Sequence, residues 1–539
     1  MSDDPNADAE IDAVTLEIVR NQLEGVAEEM GQVLITSSYS PNIKERRDCS
    51  TALFDAEGRL VAQAEHIPVH LGAMPASVAA ILDRDPKPGD VFVLNDPFEG
   101  GTHLPDVTMV SPVAVDDEIL GYAVSRAHHA DVGGMTPGSM PAGAREIFQE
   151  GLRLPPVRLV SGGEVVDDVM NVLLANVRSP SERRADFRAQ IAANDRAQSR
   201  VADLVSEHGR TQLLAAFDAV IDYSRQRITS ELAELPDGTY RATDAMEGDG
   251  VTDDDVPIEV EVEISGAEVR VDFAGTADQV AGNVNAPLAV AKSAVYFVVR
   301  AVTDPDIPPN QGCYDPISVS APEGSLLNPV PPAAVVGGNV ETSQRVTDTV
   351  LTALADAAPD RIPAQGQGTM NNLIIGNRDA GGFTYYETIA GGFGARPTKD
   401  GMDGVQVGMT NTLNTPVEAM EAEYPLRVER YAFRQDSGGD GEFRGGLGVE
   451  RAVTVDVDST VSLLTERRRT APAGVAGGGP GAVGENLVGD ESVPAKTTRE
   501  IPAGTTVTVR TPGGGGYGDP ADRDMEARER DRADEKTSE

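Results

Sequence analysis

The stretch GDVFVLNDPFEGGTHLPDVTMVSPV, residues 89–113, alternates short β-branched segments with a polar loop. The segments VFVL and VTMV are typical of buried strands, and the loop PFEGGTHLPD joins them. A further strand and its following loop, ILGYAVSRAHHADVGG, occupy residues 119–134. This order of strand, loop and strand predicts a sheet with polar residues at the strand ends.

Histidines concentrate around this predicted sheet. His103 and Asp106 share the loop GTHLPD, and His128 stands near the end of the next strand, so a sheet would bring the three together. Two imidazoles and one carboxylate form a common ligand set for Zn, Mn or non-haem Fe. Alternatively, the histidines only satisfy backbone groups of the loops. Five of the six histidines lie within 64 residues of one another: His66, His70, His103, His128 and His129.

A fourth ligand is available upstream, in the segment KERRDCS. Glu45 and Asp48 directly precede a strand that the pattern predicts to be buried. Charged groups that enter a protein core need a partner, and a metal ion is one such partner. The neighbouring Arg46 and Arg47 offer internal salt bridges instead, so both explanations stay open.

Helical and strand patterns alternate along the N-terminal part of the chain. Asp12 is a suitable N-cap for a helix whose apolar residues recur at three- and four-residue spacing up to Met30. Ser50 to Val69 predicts a hairpin around the turn AEG. A stretch rich in Ala, Arg, Gln and Leu, from Glu182 to Ile228, predicts further helix.

A second module begins after the turn Pro236-Asp237-Gly238. The segments IEVEVEI and VRVDF alternate with period two on either side of Ser265-Gly266, which predicts an antiparallel hairpin with one acidic, solvated face. Residues 341–357 predict a helix, and strand-like segments with glycine turns follow from Asn371 to about Val509.

These patterns predict a multi-domain α+β fold with mixed and antiparallel sheets, packed helices and a β-rich C-terminal half. The expected domains are an N-terminal α/β domain with the metal site (1–235), a β-rich middle domain (236–340) and a mainly β C-terminal domain (341–522). Residues 523–539 contain almost no apolar side chains, so we expect a charged, disordered tail there.

The net charge of −42 restricts the partners that the chain can have. With 87 acidic against 45 basic residues, it would repel a phosphate backbone, so we expect no nucleic-acid partner. Lysine occurs only six times, and acidic residues extend along the whole chain, which indicates a salt-loving host. A merely acidic mesophilic protein is the alternative. Molar salt shortens the Debye length to about 3 Å and would relieve the self-repulsion.

Cysteine content and apolar runs bear on the compartment. The two cysteines, Cys49 and Cys313, are too few for a disulfide framework and fit a reducing interior. The first residues, MSDDPNADAE, contain no basic region followed by an apolar stretch. No apolar run is long enough for a membrane span. We therefore expect a cytoplasmic protein without a membrane partner.

Nucleotide-binding motifs are weak in this chain. No glycine precedes a lysine, so a G-K-[ST] phosphate loop is absent from the sequence. The segment Gly479 to Gly484 matches GxGxxG, but no strand precedes it and no helix follows in the predicted pattern. We interpret this segment as a turn.

Several long blocks resemble the hydantoinase B/oxoprolinase family. In the N-terminal part they are SPNIKERRDCSTALFD, GDVFVLNDPFEGGTHLPDVTMVSPV, AHHADVGGMTPGSMP and NVRSPSERRADFRAQIAAN. The likeness continues through GNVNAP, VVGGNVETSQRV, GGFGARPTKDG and TPGGGGYGDP, over roughly residues 10–522. The family includes B subunits of N-methylhydantoinases, the corresponding half of 5-oxoprolinase and the alpha subunit of acetone carboxylase.

The resemblance implies a metal site and assigns its residues. An H-x-x-D loop, a histidine 22 residues further on and an upstream acid would hold a divalent ion of Zn, Mn or Fe. In this chain they are His103, Asp106, His128 and Glu45. His129 and Asp131 would then orient a ligand or act as the catalytic acid or base.

The resemblance also implies a reaction and a partner. A hydantoinase A-like subunit would bind ATP and phosphorylate the carbonyl oxygen of a small cyclic amide, and this chain would complete the hydrolysis within a hetero-oligomer. An acetone-carboxylase-like ligase and a non-catalytic scaffold for the A-type partner are the alternatives. The substrate ring, the metal and the stoichiometry of the complex stay open.

Overall fold

The computed structural model describes residues 11–377 and 382–538. The first ten residues, which contain no basic region followed by an apolar stretch, lie outside the described residues. The described part contains eleven α-helices and four mixed or antiparallel β-sheets, which confirms the predicted multi-domain α+β class. Among these helices, none has the length and apolarity needed to cross a membrane.

The N-terminal sheet is antiparallel, with strand order β2-β1-β5-β4-β3-β6-β7. Its central pair forms from the stretch around residues 106–128, where Asp106 lies opposite His128. The hairpin predicted for Ser50 to Val69 is confirmed as the first two strands. The bounds are β1 Cys49–Asp55, β2 Leu60–Glu65, β3 Val91–Leu94, β4 Asp106–Val115, β5 Glu118–His128, β6 Val157–Ser161 and β7 Glu164–Val165.

Helices cover both faces of this sheet. The side chain of Asp12 accepts hydrogen bonds from the N–H groups of Val14 and Thr15, so the predicted N-cap is confirmed. The helix predicted between residues 182 and 228 is two helices, because Gly209 adopts a φ of 79° between them. The bounds are α1 Ala13–Ser37, α2 Pro41–Lys44, α3 Met74–Leu82, α4 Asp167–Ala175, α5 Pro180–His208 and α6 Arg210–Leu232.

The middle sheet has the order β11-β10-β9-β8 and is mixed, because β10 and β11 pair in parallel. Along the strand Val256–Ser265, buried valines and isoleucines alternate with more exposed residues, as the period-two pattern predicts. The helices Leu288–Val302 and Ser343–Ala353 cover its apolar face. The bounds are β8 Gly238–Met246, β9 Val256–Ser265, β10 Glu268–Asp272, β11 Ile317–Ser320, α7 Leu288–Val302, α8 Gln311–Tyr314 and α9 Ser343–Ala353.

Two further sheets pack face to face in the C-terminal half around one apolar cluster. Their orders are β13-β12-β16-β19 and β14-β15-β20-β17-β18. The bounds are β12 Asn372–Gly376, β13 Thr384–Thr388, α10 Val417–Glu423, β14 Leu426–Phe433, β15 Val449–Val455, β16 Ser459–Leu464, β17 Glu485–Val488, β18 Glu491–Ser492, β19 Lys496–Ile501 and β20 Thr506–Arg510.

The largest apolar cluster joins the three predicted domains. It contains Phe54 of the N-terminal sheet, Val262 of the middle sheet and Ile374 of the C-terminal part. A π-helical turn, Gly338–Thr342, runs directly into α9 across the expected boundary at 340. The boundaries at 235 and 340 stay predictions.

The charged C-terminal segment differs from our expectation of a disordered tail, because it contains helix α11, Met525–Ala533. Asp524 caps the helix by accepting from the N–H of Ala527 at 2.9 Å. Asp531, only 6% exposed, forms ion pairs with Arg523 and Arg444. Charge pairing therefore holds this segment where apolar burial is lacking.

Candidate metal centre

His103, Asp106 and His128 lie together at one edge of the N-terminal sheet. Asp106 begins β4 and pairs across the sheet with His128, the last residue of β5, while His103 lies in the loop just before β4. One potential ligand atom from each residue lies within 4.8 Å of the other two. All three side chains are buried.

The distances in this group suit a divalent metal. Oδ1 of Asp106 lies 3.0 Å from Nε2 of His103 and 3.3 Å from Nδ1 of His128. Ligand atoms about 2.0–2.1 Å from a tetrahedral zinc ion are about 3.3 Å apart. Within the described residues, both ring nitrogens of His103 and Nε2 of His128 have no hydrogen-bond partner. Buried nitrogens of this kind normally have one, so the group fits a metal site.

The second oxygen of Asp106 is held by three other side chains. Oδ2 accepts hydrogen bonds from Thr102 at 3.1 Å and from Asn339 at 3.3 Å, and it lies 3.5 Å from Nε2 of His70. His70 in turn contacts the hydroxyl of Ser50 through Nδ1 at 2.9 Å. These contacts fix the carboxylate and leave Oδ1 directed at the two histidines.

Burial and pairing set the protonation of the ligand group. Burial alone would raise the pKa of Asp106, but the neighbouring imidazoles of His103, His128 and His70 hold it well below its ordinary value. Burial lowers the pKa of His128, although Asp106 and Asp48 act in the opposite direction. A carboxylate and a neutral imidazole are the forms that bind a metal.

The two candidates for an upstream acid lie in different surroundings. Cys49 pairs with Ala127, so the preceding Asp48 faces His128, whose N–H donates to the Asp48 carbonyl at 3.0 Å. Residues directly opposite each other project to the same face of a sheet, so Asp48 points to the face of His128. Glu45 instead follows the short helix α2 and is half-buried, and neither Asp48 nor Glu45 belongs to the compact ligand group.

His129 and Asp131, the predicted catalytic residues, make contacts away from the ligand group. His129 packs against α5, with Nε2 2.9 Å from Oε1 of Gln190 and its ring beside Phe187. Burial and the charge of Arg183 lower the pKa of His129 to about 4, so its ring is neutral at pH 7.

Asp131 fixes the glycine-rich loop that follows. Its carboxylate accepts hydrogen bonds from the N–H groups of Gly133 and Gly138 and from Arg178 at 2.9 Å. These contacts show how both side chains are held, and a catalytic role for His129 and Asp131 stays a prediction.

The opposite wall of the site comes from the C-terminal half, and sequence patterns did not reveal it. The ring of Tyr386, on β13, stacks on His128 with centroids 4.6 Å apart. The buried Arg46 donates to the Tyr386 carbonyl at 2.7 Å and so holds that strand against the N-terminal block. Asn339 reaches Asp106 from the block VVGGNVETSQRV, whose place in the resemblance was the only available signal.

The model of the family described as hydantoinase B/oxoprolinase matches residues 12–520. The chain belongs to the hydantoinase B/oxoprolinase family. Within this family it is 39% identical to 5-oxoprolinase 1 of Arabidopsis thaliana over 94% of its own length, and it spans 42% of that protein. It is 33% identical to the putative B-type subunit of a D-/L-hydantoinase from a Pseudomonas species, over 96% of this chain and 91% of the relative.

Two solved structures share the fold of this chain. The ATP-dependent caprolactamase from Pseudomonas jessenii superimposes with a TM-score of 0.91 at 30% identity, covering 98% of this chain and 95% of the other. A nucleotide-free acetone carboxylase matches with a TM-score of 0.86 at 20% identity over 97% of this chain and 78% of that one, which shows the fold alone. The predicted family and fold are thus confirmed.

Proposed function

We propose that this chain is the metal-bearing B component of an ATP-dependent enzyme that hydrolyses a small cyclic amide. The buried group of His103, Asp106 and His128, with its unpartnered ring nitrogens, is the observation that carries the proposal. Family membership and the likeness to a caprolactamase support the reaction class. The substrate class, the metal and the partner are parts of the proposal.

His103, Asp106 and His128 would hold the ion, and we propose Asp48 rather than Glu45 as the additional acid. When bound, a divalent metal lowers the pKa of a coordinated water toward about 7 and can thereby supply hydroxide at neutral pH. Thr102 and Asn339 keep the Asp106 carboxylate oriented through their bonds to Oδ2. The stacked ring of Tyr386 closes the site and limits the access of bulk water.

An unactivated amide resists attack by water, so the proposed reaction uses ATP to activate the amide. A hydantoinase A-like partner would transfer a phosphoryl group to the carbonyl oxygen of the ring. The ring carbon then becomes electrophilic, water adds to it and the C–N bond breaks. The chain contains no glycine followed by lysine, in keeping with an ATP site on the partner.

An acetone-carboxylase-like ligase is the competing candidate, and sequence identity favours the hydrolase. The chain is 30% identical to the caprolactamase but only 20% identical to the acetone carboxylase, a level at which the likeness shows the fold alone. A scaffold without chemistry of its own would not need a buried, charge-paired ligand group, because such groups cost stability unless they are occupied.

The test uses the complex of this chain with a co-expressed A-type partner. Hydantoin, 5-oxoproline and caprolactam are each supplied with ATP, and opened ring and phosphate are measured. We expect ring opening of at least one of them to depend on ATP and on both chains, and to be lost in Asp106→Ala. Phosphate release without ring opening by any lactam, or carboxylation of a ketone instead, would refute the hydrolase.

A further inference from the structure

A buried glutamate lies in the π-helical turn beside the candidate metal centre. The turn Gly338–Thr342 carries Asn339, which contacts Asp106, and two residues later Glu341, whose exposed fraction is 0%. Single π-helical turns are rare and occur frequently at functional sites, because they re-aim side chains within a helix. One turn therefore supplies both a contact to the ligand group and an ionisable carboxyl.

The contacts of Glu341 lead back to the same site. Its Oε1 accepts from the N–H of Met370 at 3.1 Å and from Nδ2 of Asn372 at 2.8 Å. Oδ1 of Asn372 accepts from the hydroxyl of Tyr386 at 2.9 Å, and the ring of Tyr386 stacks on His128. Oε2 of Glu341 is buried and has no hydrogen-bond partner among the described residues. A buried carboxyl oxygen normally has one, so Oε2 points to a ligand.

We propose that Glu341 is the general acid that protonates the ring nitrogen while the C–N bond breaks. The assignment rests on the proposed function and deepens it by naming the proton donor. The description of the metal centre above gives Glu341 no role. The sequence alone revealed neither its place beside the site nor the π-helical turn that carries it.

The surroundings of Glu341 keep a proton on its carboxyl at neutral pH. Burial raises the pKa of Glu341 to about 8, and the nearby Glu466 acts in the same direction while Lys496 opposes it. A general acid works best with a pKa close to the operating pH. Arg468 and Tyr386 also interact electrostatically with this carboxyl.

The proton balance of the step is closed. Water adds its oxygen to the phosphorylated ring carbon, the electron pair of the C=N bond moves to nitrogen, and the first water proton follows it. Glu341 then gives its proton to that nitrogen while the electron pair of the C–N bond also moves there, and the amine leaves. The second water proton departs from the new hydroxyl as the C=O bond forms, and it restores the Glu341 carboxyl. The product is an acyl phosphate, which a second water hydrolyses.

The donated proton decides which bond of the tetrahedral intermediate breaks. An unprotonated nitrogen is a poor leaving group, so the intermediate would expel phosphate and return the intact ring. ATP would then be consumed without ring opening. A proton donor at the nitrogen therefore couples phosphate release to hydrolysis of the ring.

The discriminating variant is Glu341→Gln in the complex with the phosphorylating partner, because glutamine keeps the size of a protonated glutamate. We expect ring opening to fall by about 10²-fold or more, while phosphate release persists, so the ratio of phosphate to opened ring rises. In the wild type, ring opening should decline above about pH 8, and Glu341→Asp should retain such a decline.

Glu150→Gln is the matched control. Glu150 is also 0% exposed, and burial raises its pKa to about 8, but its oxygens accept from the backbone N–H groups of Val335 and Val336. We expect this variant to keep the wild-type ratio and the wild-type alkaline decline. An unchanged ratio in Glu341→Gln, in a complex whose wild type opens the ring, would overturn the assignment. Absence of ring opening in the wild type would instead overturn the proposed function.

A second measurement needs neither partner nor metal. Infrared difference spectra of the isolated chain should contain protonated carboxyl bands at about pH 7 from Glu341 and Glu150 that disappear above about pH 8. The Glu341 band should be lost in Glu341→Gln and kept in Glu150→Gln. If Glu341 is already ionised at about pH 6, it holds no proton to donate and the assignment fails.

Discussion

At the scale of single residues, either Asp48 or Glu45 could be the additional acid of the metal site. Asp48 is buried and faces His128 across paired strands, whereas Glu45 is half-buried at a helix end. We therefore expect Asp48→Asn to weaken metal binding by about 10–100-fold, as for groups that contact or support a ligand. Glu45→Gln should leave it within about two-fold. Competition with a chromophoric chelator measures both, and the reverse order would assign the acid to Glu45.

Glu341 also makes stability depend on pH in a definite direction. The folded chain keeps this carboxyl protonated up to about pH 8, whereas its ordinary pKa is 4.5. Between these values the unfolded chain has lost the proton, so the free energy of unfolding of the wild type falls as pH rises. The difference in free energy of unfolding, Glu341→Gln minus wild type, should therefore increase from about pH 5 to about pH 8.

Denaturant titrations at these two pH values measure that difference, with Glu263→Gln as a control at an exposed carboxylate. The control should show the same difference at both pH values. A difference for Glu341→Gln that stays constant or decreases would mean that burial does not hold the proton on Glu341.

At the scale of elements, helix α11 depends on charge pairs. The nearly buried Asp531 forms ion pairs with Arg444 and Arg523. Asp531→Asn should therefore weaken the packing of helix α11 against the rest of the chain by roughly 1–3 kcal/mol. Hydrogen exchange should then accelerate in residues 525–533 while metal content stays unchanged. Glu529→Gln makes the same charge change at an exposed position of the helix and should have little effect. Equal exchange in both variants would contradict the pairing.

Local patterns predicted the elements that local forces form. The N-cap at Asp12, the hairpin at residues 50–65 and the pair of strands around Ser265 are all confirmed. The spacing of His103, Asp106 and His128 also predicted their meeting, because Asp106 and His128 lie on paired strands and His103 lies in the loop just before β4. Asn339 and Tyr386 contact this group although they lie more than 200 residues away in the chain. A local sequence pattern cannot indicate a contact between residues so far apart in the sequence. Helix α11 was not predicted, because the search for apolar periodicity does not detect ion pairs.

At the scale of the whole molecule, the net charge of −42 predicts a stability that depends on salt. Repulsion among exposed carboxylates acts over a Debye length of about 10 Å at 0.1 M salt but only about 3 Å at 1 M. We therefore expect the melting temperature to rise steeply between about 0.1 M and 2 M KCl. Sucrose at matched water activity serves as the uncharged control and should give a smaller rise. Equal stabilisation by both would exclude charge screening as the cause.

The central claim is that His103, Asp106 and His128 hold a metal ion, and metal content after purification without chelators tests it most directly. Mass spectrometry should find close to one divalent ion per chain in the wild type and in His208→Ala, whose histidine contacts Gln22 far from the site. His103→Ala and Asp106→Ala should lose it. A wild type without metal, or the same metal content in all four proteins, would contradict the account.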